Sequence, residues 1–124
     1  MLKLYTLLSS IIEPICPCFV DHYPEDEEKG YPYAEIRFPN VLPNNSFSDN
    51  NLLEIDIWSD KGTDINGIEG IADSVNLALN RLQYNDASMY VSINKNKPYR
   101  LSLPDPIVHI QRRQLRYVCT VYER

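Results

Sequence analysis

The chain has 124 residues, 44% of them hydrophobic and 23% charged, with a formal net charge of -5 at pH 7. That length suits one domain around one core, the apolar share excludes wholesale disorder, and the negative balance speaks against a general nucleic-acid-binding surface. No run approaches the roughly 20 apolar residues of a membrane span, so a soluble protein made in a cytoplasm is expected.

Leu2, Leu4, Leu7, Leu8 and Ile11 recur at helical spacing and Pro14 stops the pattern, which predicts a helix over about 2–12. The stretch carries a single Lys3, and Glu13-Pro14 stands where a cleavable leader needs small residues, so it is expected to dock as a first helix. Residues 16–22 are rich in strand formers. Tyr23 to Gly30 then makes an acidic turn with Glu25, Asp26, Glu27 and Glu28, either a solvated loop or a surface that repels or docks a charged partner. Three cysteines, Cys16, Cys18 and Cys119, are an odd set for a disulfide framework. Cys16-Pro17-Cys18, even with His22 and His109, lacks the spacing of a structural zinc site, and buried apolar thiols are expected.

Tyr33 to Phe38 alternates as a half-buried strand, with Ala34, Ile36 and Phe38 on one side and Glu35 and Arg37 on the other. Residues 40–50 are dense in turn formers and predict a long loop. It holds Asn44, Asn45, Asp49 and a lone aromatic, Phe47, which either tucks onto the domain or is held out for a partner. A strand over 51–58 follows, with Leu53, Ile55 and Ile57 on one face and Glu54 and Asp56 on the other. Two carboxylates on one face invite an acid/base reading, but arginines on neighbouring strands, such as Arg37 or Arg116, are the simpler partners.

The loop Ser59 to Asp64 has neither a phosphate-cradling glycine pattern nor a nucleophile elbow. It leads into a helix expected over 65–82, whose stripe is Ile65, Ile68, Ala72, Val75, Leu79 and Leu82. Asn66 and Glu69 resemble a capping box, with Thr63 or Asp64 as alternative caps. Gly67 and Gly70 would each weaken an isolated helix by roughly 1 kcal/mol, unless they admit another backbone. A strand over 88–94 ends at Lys95-Asn96-Lys97-Pro98, and Leu101 to Pro106, with two prolines, predicts an extended connector. Residues 107–122 are extended. Within them Arg112, Arg113 and Arg116 concentrate positive charge, expected to bridge Glu35, Glu54 or Asp56 within the sheet or the acidic loop of a neighbouring subunit; nucleic-acid contact would need a broader basic surface. The fold class expected is α+β: one domain, 1–124, a mainly antiparallel sheet with an N-terminal helix and one central amphipathic helix packed on it.

Tyr33-Ala34-Glu35-Ile36-Arg37-Phe38, the run Leu52 to Asp60, the helix with Ile71-Ala72-Asp73, and Pro104-Asp105-Pro106 ahead of Arg112-Arg113-Gln114-Leu115-Arg116-Tyr117, taken in this order of elements, carry a resemblance. Over nearly the whole chain the pattern resembles the tail-terminator or tail-completion proteins of long-tailed bacteriophages. The resemblance implies a ring, usually of six subunits, at the head-proximal end of the tail tube, where it halts tube growth and receives the head connector. It implies no catalytic residue, cofactor or metal, DNA that passes through without specific binding, no membrane partner, and a place in the phage neck. Expected interface residues, from exposed pattern only, are Glu25, Asp26, Glu27, Glu28, Asn44, Asn45, Phe47, Asp49, Arg112, Arg113 and Arg116. The rivals are a head-side connector or stopper, an adaptor that binds a partner at a strand edge, and a small enzyme using Glu54, Asp56 and His109.

Overall fold

The computed structural model describes residues 2–24, 28–45, 47–62 and 64–123. In chain order they form α1 (Leu2–Ile12), β1 (Cys18–Val20), β2 (Tyr33–Asn45), β3 (Ser48–Ser59), α2 (Asn66–Leu79), β4 (Gln83–Asn85), β5 (Met89–Leu103) and β6 (Gln111–Glu123). The strands make one curled sheet in the order β1-β2-β3-β6-β5-β4.

The mainly antiparallel sheet expected from the sequence is corrected to a mixed one, because β1 lies parallel to β2, with Cys18 opposite Ala34 and Val20 opposite Ile36. A hairpin cannot join parallel neighbours; the chain must return to the strand's starting end, and residues 21–32 are long enough to do so. Four strands dominate the sheet and run longer than their apolar cores. β3 pairs along its whole length with β6, from Ser48 opposite Tyr122 to Ser59 opposite Gln111.

The long loop expected over 40–50 is the second correction, since residues 40–45 and 48–50 are the outer halves of β2 and β3. Asparagines and serines have weak strand preference alone, but here β6 templates them: the Thr120 hydroxyl donates to Asn50 Oδ1 at 2.8 Å. Pro39 sits in a bulge between Arg37 and Asn40, where the ladder is already interrupted. Likewise Lys95 to Pro98 does not end β5, which resumes its pairing with β6 at Arg100 and absorbs the proline in a second irregularity. The strand start expected near 107 is displaced to Gln111, because the Ile107 N–H turns back to Asp105 Oδ1 and the Ile110 N–H to the Ile107 carbonyl.

Side-chain alternation gives the sheet two faces. Ala34, Ile36, Leu53, Ile55, Ile57, Leu115, Tyr117 and Cys119 form a fully buried layer with Val91 and Ile93, beneath Leu4, Leu8 and Ile12 of α1 and Ile68, Ala72, Val75 and Leu79 of α2. Those α2 positions follow the four-three-four spacing of one helix face. The expected capping box is absent: Asp64 Oδ1 accepts the Asn66 N–H at 3.0 Å, while Glu69 turns to Arg100 and Arg113. An added Cβ at Gly67 or Gly70 would meet nothing within 4 Å, so neither glycine serves a close backbone approach. Among the described residues no helix is long and apolar enough to cross a membrane.

Candidate functional site

The face of the sheet away from the helices carries the charges. Glu35, Asp56 and Gln114 lie in one cross-strand row, and Arg37, Glu54 and Arg116 in the next. Asp56 is completely buried, and its carboxylate accepts from Arg37, from Arg112 Nη2 at 3.0 Å and from Gln114 Nε2 at 3.1 Å. Glu54 lies 3.7 Å from Arg37 Nη2 and 3.5 Å from Arg116 Nε. Burial of a carboxylate is costly unless charge and hydrogen bonds offset it, and these donors do that. Glu35 is covered differently, by accepting the Tyr23 N–H. At the end of this face where β3 and β5 finish, Tyr33 stacks on Trp58 with 5.1 Å between centroids, and the Arg112 guanidinium lies 5.0 Å from the Trp58 ring centre.

This layer separates the three sequence-marked arginines. Arg112 and Arg116 belong to the charged face, whereas Arg113 points to the helix side and donates to Glu69 Oε1 at 2.6 Å. All three are held within the molecule, so they do not form one outward basic patch. Glu54 and Asp56 are neutralised by guanidinium groups. His109 stands before the start of β6, offering its carbonyl to the Gly62 N–H at 3.1 Å, whereas Glu54 lies opposite Arg116 in the strand interior. The three residues of the enzyme reading are therefore not brought into one pocket. Among the described residues no group of three His, Cys, Asp or Glu side chains could hold a metal ion, and Cys16 and Cys119 are buried free thiols with Cys18 half-buried.

The hairpin residues behave oppositely. Asn45 Oδ1 accepts the Phe47 N–H at 2.7 Å and the Ser48 hydroxyl at 3.1 Å, and Asn44 Nδ2 donates to that hydroxyl at 3.0 Å. These bonds tighten the turn and turn Phe47 outward, 80% exposed, with Leu42 and Val41 exposed beside it. Asp49 is exposed next to the tip. A cavity of about 610 Å³ opens at this end of the sheet between α1 and the strands, lined by Leu2, Leu4, Val41, Asn51, Met89 and Val121. The opposite end exposes Ile65, Ile107 and Val108. Sequence reasoning missed Val41, Leu42, Ile107 and Val108 as surface features, because apolar residues at strand-like spacing carry no mark of which pairing partner is absent. Of the acidic turn, Glu28 is exposed, and Glu25, Asp26 and Glu27 lie outside the described residues. No protein-family model matches the chain, and no curated protein matches it.

Proposed function

We propose that the chain is a structural subunit of virion assembly: a tail terminator of a long-tailed bacteriophage, which caps the head-proximal end of the tail tube as a ring and mediates joining to the head connector. The family resemblance supplies this reading. The observation that supports it best is that exposed apolar side chains gather at both ends of the sheet, Leu2, Val41, Leu42 and Phe47 at one and Ile65, Ile107 and Val108 at the other, with Val20 of β1 and Leu77 of α2 exposed elsewhere. β3 spans 12 residues between those ends, about 36 Å at roughly 3.3 Å per residue. A subunit that links a tube on one side to a connector on the other needs two such separated surfaces, and exposed apolar patches are what docking buries. Retention of Arg112, Arg113 and Arg116 in internal ion pairs leaves them little capacity for phosphate, which suits a channel that DNA slides through.

A second reading, an adaptor that takes a partner's strand, is favoured by one feature: β1 covers only Ala34 to Ile36, leaving residues 37–45 of β2 without an outer neighbour among the described residues. Pro39 and Pro43 interrupt the donors of that edge, as protected edges do. Complementation separates the two. A phage lacking this gene is supplied in trans with the wild-type chain or with a Leu42→Ala/Phe47→Ala variant of unchanged thermal stability. The terminator reading expects plaques with the wild type and a loss of at least tenfold with the variant; full rescue by the variant removes the hairpin tip from the account.

A further inference from the structure

Two buried side-chain atoms among the described residues have no hydrogen-bond partner, Asn51 Oδ1 and Gln111 Oε1. Gln111 has an evident task, since its Nε2 donates to the carbonyls of Gly62 and Asp64 and closes the loop ahead of α2. Asn51 has none of that kind. It shares the core face of β3 with Leu53, Ile55 and Ile57, and in its cross-strand row it stands between Val41 and Cys119, with Ile93 beyond. An apolar residue there would extend the core, whereas a buried amide oxygen that has lost water and gained no donor is destabilising.

Asn51 lines the cavity of about 610 Å³ between α1 and the strands. Its Nδ2 donates to the Cys119 carbonyl at 3.3 Å, and because a carbonyl only accepts, this bond fixes the amide's orientation and leaves Oδ1 as the free acceptor. The walls beside it are apolar and well covered: Leu4 is 2%, Met89 6% and Val121 9% exposed. A cavity of this size, apolar with a polar group set in its wall, has the make-up of a small-molecule site. Charge at its mouth selects no sign, because Lys3 and the positive end of the α1 dipole stand against Asp49 and Glu123.

We propose that this cavity binds a neutral, apolar small molecule with one N–H or O–H donor, of the indole or phenol kind, the donor bonding Asn51 Oδ1 and the ring packing on Leu4, Met89 and Val121. A ring suits the place, since the Met89 thioether makes favourable contacts with aromatic edges. A free molecule fits better than a protein surface, because the acceptor belongs to a residue only 3% exposed, inside a concavity that a broad surface does not enter. The site lies on the helix side of the sheet, away from the charged face, and stands independently of the assembly reading.

The test is a titration of the isotope-labelled chain with indole and with N-methylindole, which keeps the ring and lacks the donor, followed by NMR at the Asn51 side-chain amide and the methyl groups of Leu4, Met89 and Val121. Indole should saturate these shifts with a Kd of about 1 mM or lower. N-methylindole should bind about fivefold more weakly or worse, the effect of one hydrogen bond between neutral groups. In Asn51→Leu, with unchanged circular dichroism, the two probes should bind within about twofold of each other. Should that variant fail to fold, the comparison on the wild-type chain still decides. No saturable shift at the cavity, equal affinity of the wild type for both probes, or a preference for indole that survives in Asn51→Leu would each overturn the proposal. Tighter binding of tryptamine or indoleacetate than of indole would overturn it in favour of a charged ligand. Tighter binding of an acetylated Ala-Trp-Ala amide would overturn it in favour of a protein's anchoring side chain.

Discussion

Arg112 Nη2 stands 3.0 Å from Asp56 Oδ1, and Asp56, with no exposed surface, is the one carboxylate among the described residues that three neighbouring side chains converge on. Its removal leaves Arg37 and Arg112 without their main counter-charge. Breaking one partner of a buried pair costs about 3–5 kcal/mol, and because both arginines reach solvent, Asp56→Ala is expected to cost about 2–4 kcal/mol, read as a fall in the urea midpoint. A loss under about 1 kcal/mol would show that the network is not what holds this face.

Glu69 is held below the usual carboxylate range, chiefly by the hydrogen bond from Arg113, with the Arg100 charge adding to it against an opposing effect of burial. A folded-state pKa below the unfolded one contributes stability that is present above the ordinary glutamate value and lost as pH falls through the folded value. Wild type should therefore exceed Glu69→Gln in thermal midpoint at pH 7, and the gap should close as pH falls below about 4. A gap that stays constant from pH 7 to 3 would contradict the linkage.

Burial pushes the Cys16 thiol up to about 11 and the Cys18 and Cys119 thiols up to about 12, with Glu13 adding to the first two. The thiolate is the reactive form. At pH 8 the folded protein should react with iodoacetamide at least tenfold more slowly than the urea-unfolded chain at all three positions, followed by mass spectrometry.

Gly70 lies inside α2 with open space where a Cβ would stand. Gly70→Ala should raise stability by about 0.5–1 kcal/mol, through helix preference and a less flexible unfolded chain. A destabilised variant would mean that this exposed stretch of α2 has a conformation alanine cannot share.

Residues whose neighbours are local were legible in the sequence. α1 ends at Ile12 because Pro14 follows within two residues, and Ile68, Ala72, Val75 and Leu79 mark the buried side of α2 by spacing alone. The outer hairpin was not legible, because its strand residues 40–45 and 48–50 depend on β6 alongside β3, a contact about 70 residues away in the chain, as for Asn50 and Thr120. The parallel placement of β1 depends on how residues 21–32 return, which no periodicity encodes. The bridges of Arg112 to Asp56 and of Arg116 to Glu54 were legible, since those carboxylates were among the expected partners within the sheet, but that of Arg113 was not, because Glu69 lies on a helix whose rotation over the sheet is a tertiary fact.

The most direct test of the assembly account is electron microscopy of lysates from the parent phage with a stop codon early in this gene. The account predicts filled heads beside headless tail tubes of excessive and variable length, because nothing ends tube growth. Unattached tails of normal length would move the chain to the head side of the junction, and normal infectious particles would contradict the assembly role altogether.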